Sequence, residues 1–237
     1  MISALFAIGI ATSGSQALKT LDGITFNDQP GVLYARLKQV SNSFGVGVGK
    51  SKGVLHLNKK PIQMANTRKL LDGTMLFRLG ALAHHGFTVR WDDVANRAVV
   101  KSAAKSGSAI YVRKGLQRVV INKKELMLVA WQGTSVVLRS KVAIGRAANQ
   151  TPNGIFKAQA YRTKLHRSSL YGNAPMPWAV HIVGDIFIHG SDQAQGRSSH
   201  GCIRLPMKGR NPARWLYSWI EKDSPVTILG KWPKNAS

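Results

Sequence analysis

A mainly β protein in two units is what the sequence predicts, a small α+β unit followed by a larger, strand-rich one. Three observations predict it. From Arg118 onward, apolar runs of strand length alternate with tight-turn residues, the pattern of a β-sandwich or barrel. Before residue 101, one segment type occurs twice, each copy reading as a short amphipathic helix stopped by glycine and continued by a strand. Between the two regions, residues 102–116 begin with Ser102, Ala103, Ala104, Lys105, Ser106, Gly107 and Ser108, small and unpatterned residues that read as a linker. A chain of 237 residues is long enough for one large core or two small ones.

The elements follow in order. Residues 34–46 echo residues 76–88, and the second copy continues through Val89, Arg90 and Trp91, a turn at Asp92 and Asp93, and a strand at residues 97–100. Between the copies, residues 53–57 and 60–62 read as strands joined by a turn at Asn58 and Lys59. His84 and His85 are adjacent, so on a helix they diverge by about 100° and do not serve one metal together; both read as helix-surface residues. Beyond the linker, residues 119–121 and 125–130 form a hairpin around Asn122, Lys123 and Lys124. Gln132, Gly133 and Thr134 turn the chain into a strand at residues 135–140. Near the end, Asn211 and Pro212 open a capped helix, and residues 225–229 form a closing strand.

Charge is the unusual feature of the composition. Thirty-four Lys and Arg against ten Asp and Glu leave a formal net charge of +24, spread over both regions. Such a field concentrates anionic partners and speeds their capture without dictating a fold. Anionic envelope polymers are one candidate partner. Nucleic acid is not expected, because no base-stacking or groove-reading motif accompanies the charge. Residues 2–11 form a short apolar run that ends in small residues at Ser15 and Ala17, as a secretory signal over residues 1–17 does, although no Lys or Arg stands near Met1. The run is too short to span a bilayer, so the mature chain is expected to lack a transmembrane span. Residues 231–237 read as a tail.

The chain has one cysteine, Cys202. An exported protein with a lone cysteine has no internal disulfide, so the thiol is either an inert packed residue or a reactive one. Its neighbours favour reactivity. A free thiol is only a few per cent ionised at neutral pH, so a nucleophilic cysteine needs a base to take its proton and backbone N–H groups to hold the oxyanion that follows attack. His200 and Gly201 precede Cys202 directly, and His189 with Gly190 stands at the end of an apolar run suited to a strand. Cysteine following histidine reverses the order of papain-like hydrolases. No zinc-type ligand spacing occurs, and no metal or cofactor is expected.

A strand-end His189-Gly190 followed by Ser199-His200-Gly201-Cys202-Ile203-Arg204 resembles the signature of the L,D-transpeptidase catalytic domain, also called the YkuD domain. Three further stretches agree in order: Ala143-Ile144-Gly145, Gln150-Thr151-Pro152-Asn153-Gly154-Ile155-Phe156, and Met176-Pro177-Trp178. The resemblance covers about residues 117–230 and implies a β-sandwich catalytic domain. It makes Cys202 the nucleophile and His189 the general base, oriented by the carbonyl of Gly190. His200 and the amides around Gly201 and Cys202 would line the oxyanion side. On the substrate side, Ser199 would steady the loop and Arg204 would pair with a stem-peptide carboxylate. Cys202 follows His189 by 13 positions, a shorter separation than the family usually has, which bears on the substrate lip. The implied reaction is acyl transfer from tetrapeptide stems of peptidoglycan, in the cell envelope, with a stem amine, water or a protein amine as acceptor. A non-catalytic wall-binding protein is the reading from another class; the intact Cys202, His189, His200 and Arg204 speak against it. Residues 18–101, with Asp72-Gly73 through Leu79 and Gly86 through Asp92, resemble the small "stalk" domain related to the N-terminal domain of copper amine oxidases. That implies a non-catalytic wall-association module without copper.

Overall fold

The computed structural model describes residues 19–103, 108–196 and 198–232. The expected signal over 1–17 lies outside them, as do residues 104–107 and most of the expected tail. The first half builds on strands β1 (Lys19–Phe26), β2 (Gln29–Arg36), β3 (Val48–Ser51), β4 (Val54–Leu57), β5 (Lys60–Pro61), β6 (Thr67–Lys69), β7 (Met75–Arg78), β8 (Phe87–Asp92), β9 (Arg97–Ser102) and β10 (Ala109–Lys114), with helix α1 (Leu37–Phe44) after β2. Seven of these form one sheet in the order β6-β7-β2-β1-β10-β9-β8, and β3, β4 and β5 form a small separate one. The turn between β4 and β5 has both Asn58 and Lys59 at positive φ, 50° and 62°, which matches the right-handed twist of a two-residue hairpin.

The internal echo is a symmetric pairing. β2 and β7 are antiparallel, with Tyr34 opposite Arg78, Ala35 opposite Phe77 and Arg36 opposite Leu76. Equivalent residues of the two copies therefore meet across a local dyad between Ala35 and Phe77, both buried. The helical segments are shorter than predicted, because the first three residues of each copy are strand. Their consecutive apolar residues enter two different clusters, Tyr34 and Leu76 one and Ala35 and Phe77 the other, as the opposite faces of a strand covered on both sides allow. The first copy then forms α1, stopped by Gly45 at φ 64°. The second forms only a 3-10 helix over Leu79–His85, stopped by Gly86 at φ 86°; it has Gly80 where α1 has Lys38, and glycine is the weaker helix former. His84 is exposed as expected, but His85 is buried. Its ring lies edge-on to Phe77 and its Nδ1 sits 3.1 Å from the Leu57 carbonyl. A 3-10 turn places its last residue on a different azimuth from an α-helix, and this one points inward.

The second half continues with β11 (Gln117–Asn122), β12 (Met127–Gln132), β13 (Ser135–Lys141), β14 (Gly154–Lys157), β15 (Arg162–Arg167), β16 (Pro175–Val183), β17 (Ile186–Ser191), β18 (Ile203–Pro206), α2 (Pro212–Trp219) and β19 (Pro225–Leu229). One sheet has the order β13-β12-β11-β19-β14, the other β15-β16-β17-β18. The mainly β architecture with a small α+β front unit is the one predicted. At the start of α2 the Asn211 side chain accepts from the Arg214 N–H, and Pro212 follows it.

The expected linker over 102–116 is corrected by the structure. β10 lies within it and is an interior strand, parallel to β1 and antiparallel to β9. Alternating Ile110 and Val112 are buried, and they anchor it. Only Gly115 and Leu116 separate β10 from β11, and the two halves share one apolar core. Ile24, Phe26, Tyr34, Leu70 and Leu76 cluster with Val119, Leu128, Leu216 and Trp219. The expected tail is also partly core: Trp232 packs against this cluster and donates its indole N–H to the Gly145 carbonyl at 2.9 Å.

Gln132 pins the two halves together. It is fully buried. Its Oε1 accepts from the Thr25 N–H at 3.1 Å and from the Trp219 indole at 2.8 Å; its Nε2 donates to Thr25 Oγ1 at 2.8 Å and to the Gly115 carbonyl at 3.1 Å. Both amide hydrogens and both lone pairs are used. Gln132→Ala should therefore destabilise the protein by about 3 kcal/mol or more, since several buried groups lose their partner at once. Thermal unfolding checks this. One cooperative transition, shifted down, is expected; a shift confined to one of two separate transitions would show that the halves unfold independently.

Candidate active site

The site is assembled on one face of the β15-β16-β17-β18 sheet. β17 and β18 are parallel, with Ile188 beside Ile203 and His189 beside Arg204. Neighbours in a ladder share a face and successive residues alternate, so Phe187, His189, Cys202 and Arg204 lie on one side. On the other, Ile188, Ile203 and Leu205 enter the core against α2. β16 reaches the same arrangement through an irregularity. Trp178 has a positive φ of 56°, which breaks the alternation, so Met176 and Ala179, three positions apart, both pack with Phe187 and Cys202. Trp178 itself turns to the back face, against Tyr217.

His189 is 4% exposed, and its Nδ1 lies 2.8 Å from the Gly190 carbonyl. A carbonyl only accepts, so Nδ1 carries the hydrogen and Nε2 keeps its lone pair. A Cβ on Gly190 would come within 2.8 Å of Met207 Cγ and 3.1 Å of Ala213 Cβ, so a larger residue there would force the Met207 side chain to shift. Burial lowers the His189 pKa to about 4; the Gly190 carbonyl opposes this, while Arg204 and His166 add to it. The Cys202 thiol is half-buried, with its Sγ 3.5 Å from both the Phe187 N–H and the Asp185 carbonyl. Burial pushes it above the usual thiol range, against the pull of the Phe187 N–H and Arg204. At neutral pH the two groups are therefore a neutral imidazole and a thiol. The Nε2 lone pair of His189 is therefore free to accept a proton.

The loop before Cys202 is woven into residues 142–151. Ala143 and Arg204 exchange backbone hydrogen bonds at 3.0 and 2.9 Å, and Ser199 bonds to Ile144 and Arg146. Ser199 is fully buried; its hydroxyl donates to the Cys202 carbonyl at 2.6 Å and accepts from the Gly201 N–H at 3.0 Å. Both bonds lie within the loop, and the buried side chain faces no substrate space. Its bond also removes the Gly201 amide from the expected oxyanion donors. Gly201 sits at φ 121°, where a Cβ would meet Ile186 at 2.8 Å, so only glycine makes this turn.

Cys202, His189, His200 and Arg204 border one cavity of about 500 Å³, walled also by Met176, Tyr171 and Met207. The His200 ring stacks on Tyr171 at 4.2 Å, and burial, then Arg146 and Arg204, lower its pKa. Arg204 donates to the Ser198 carbonyl at 3.2 Å, while its buried Nε has no partner among the described residues. That leaves a guanidinium at the cavity with donors to spare. Sequence reasoning assigned no role to His166, whose ring stacks on Phe187 at 4.7 Å and adds to the lowering of the His189 pKa. Tyr171 and Met207 were missed too, lying in loops without a motif. Among the described residues, no group of three or more His, Cys, Asp or Glu could hold a metal, and no helix is long and apolar enough to cross a membrane.

The arrangement is a thiol with an oriented imidazole across a parallel strand pair and backbone amides beside it, a set of groups with which nucleophilic cysteine chemistry can be done. Residues 116–228 match the sequence model of YkuD, the L,D-transpeptidase catalytic domain. Among solved structures, the chain is similar to an L,D-transpeptidase (Yku) from Stackebrandtia nassauensis at 20% identity and TM-score 0.46, covering 51% of this chain and 58% of that one. It is similar to an L,D-transpeptidase from Mycobacterium smegmatis at 13% identity and TM-score 0.44, covering 91% and 96%. A third, from Xylanimonas cellulosilytica, has 23% identity and TM-score 0.44, covering 48% and 61%. The chain thus spans less than two thirds of the first and third of these structures. No curated protein matches it.

Proposed function

We propose that the protein is an L,D-transpeptidase that forms peptidoglycan crosslinks through an acyl-enzyme on Cys202. The observation that carries this is the shared face and cavity of Cys202, His189 and Arg204, with His189 held in the tautomer that leaves Nε2 free. In the first step Nε2 takes the thiol proton, and Sγ bonds to the carbonyl carbon of the third stem residue. The bond to terminal D-alanine breaks, and its nitrogen leaves with the proton from His189. In the second step an amine of a neighbouring stem gives its proton to His189 and displaces Sγ, which recovers that proton. Arg204 holds a stem carboxylate by a charge-assisted bond, and His200 lines the oxyanion side.

Mass spectrometry of tetrapeptide muropeptides incubated with the protein tests this. Loss of D-alanine with crosslinked dimers is expected. Tripeptide alone would mean that water is the acceptor, a carboxypeptidase; transfer only to a protein amine would mean an anchoring enzyme. Neither acyl-enzyme nor product would leave the wall-binding reading. The substrate lies outside the cytoplasm, so this function requires export, as the residues at 1–17 suggest. The N-terminal unit serves in this proposal as a wall-association module, and the cationic surface as its grip on anionic polymers. Exposed charges are screened within about 10 Å at 0.1 M salt and about 3 Å at 1 M. Co-sedimentation with purified sacculi should therefore fall steeply between those salt concentrations; equal binding at both would show a grip by shape.

A further inference from the structure

Lys123 has no part in the chemistry above, yet only 4% of it is exposed. It forms no ion pair among the described residues, and its ammonium donates to the Thr151 carbonyl at 2.9 Å. Burial pulls its pKa below the usual lysine range. A cation kept inside without a carboxylate is costly and calls for a purpose. Thr151, in the motif before β14, is itself fully buried. Its Oγ1 accepts from the Gly145 N–H at 2.9 Å and donates to the Gly201 carbonyl at 2.6 Å. Gly145 is tied in turn to the site loop by its bridge with Ser199.

The consequence follows from peptide geometry. The Gly201–Cys202 peptide is trans and planar, so its C=O and N–H point in opposite directions. Pinning the Gly201 oxygen therefore aims the Cys202 N–H. The Gly201 N–H is taken by Ser199, whereas the Cys202 N–H has no acceptor among the described residues. We propose that Lys123 and Thr151 are positioning residues that hold the Gly201–Cys202 peptide so that the Cys202 N–H points at the oxyanion formed on attack by Sγ. This rests on the acyl-transfer reading of the site, and it adds the device that aligns the donor.

The test separates aim from integrity. Alkylation of Cys202 by iodoacetamide is a displacement at carbon and forms no oxyanion, whereas acylation by p-nitrophenyl acetate does. Thr151→Val keeps the shape and removes the hydroxyl. It should slow acylation, read as nitrophenolate release, by about 10- to 100-fold, less than the loss of a whole oxyanion donor, and leave alkylation within about twofold. Lys123→Met should show the same split more weakly, and Thr151→Ser should restore acylation. Equal loss of both reactions in Thr151→Val and Lys123→Met, or no loss of acylation in Thr151→Val, overturns the proposal. Wild-type protein inert to muropeptides, with the two variants still showing the split, would sink the transpeptidase reading and leave this one standing.

Discussion

Cys202→Ser is expected to keep the fold and to lower muropeptide turnover by at least about 10³-fold. The side chain is half-buried, and its two polar neighbours, the Phe187 N–H and the Asp185 carbonyl, can serve a hydroxyl as well as a thiol. Packing with Met176, Ala179 and Phe187 changes by little more than the size of one atom. The chemistry changes far more. Burial already disfavours the anionic form of the thiol, and a hydroxyl in that place, far less acidic, gains little from a base of low pKa. Turnover of crosslinked product and loss of D-alanine, measured by mass spectrometry with thermal unfolding as the control, decide it. A folded variant that remains fully active would remove Cys202 from the mechanism.

His189→Ala should cost about 10²- to 10⁴-fold in alkylation of Cys202 at neutral pH, the usual range for a positioned base. Part of the rate should return at alkaline pH, where thiolate forms unaided. The sign of the pH dependence follows from burial. In the proposed mechanism the neutral imidazole is the active form, and burial holds the His189 pKa at about 4 in the folded protein. The acid limb of kcat/KM, which reports the free enzyme, should therefore fall near pH 4 instead of near 6.5. Stability runs the same way: between pH 6.5 and 4 the unfolded chain binds a proton that the folded one refuses. The His189 contribution is complete above pH 6.5 and is lost as pH falls toward 4. It amounts to about 3 kcal/mol, at roughly 1.4 kcal/mol for each pH unit between the two values. An acid limb near 6.5, or alkylation lost in His200→Ala and kept in His189→Ala, would reverse the assignment of the two histidines.

The chemistry-bearing residues were legible because they sit in short, ordered motifs. His189-Gly190 and the run from Ser199 to Arg204 need only local backbone geometry to be recognised, and Gly201 announces a turn that no other residue makes. The tight turn at Asn58 and Lys59, the capped start of α2 and the strand signals from Arg118 are local in the same sense. Where reading failed, the cause was distant contact. Residues 109–114 looked like part of a linker because their alternation is brief and follows a polar stretch; β1, whose residues pair with those 91 positions later, makes them a strand. His85 looked exposed because an α-helix was assumed where Gly80 and the following residues give a 3-10 turn.

By itself, the sequence determined the mainly β class and the duplicated segment in the first half, and it singled out Cys202, His189 and Arg204 as candidates for nucleophile, base and carboxylate partner. The first two follow from hydrophobic period and glycine positions, the candidate roles from the resemblance of the motifs. Only the tertiary structure decided which amides are free beside Cys202, that Ser199 is spent on the loop, and that Lys123 is turned inward from a hairpin. It also decided that the two halves are joined through a shared core and the buried amide of Gln132. The physical reason is the same in each case. A hydrogen bond between residues 28, 50 or 107 positions apart leaves no periodic trace in the chain, and burial, which moves the His189 pKa and fixes every donor, is a property of what packs around a residue.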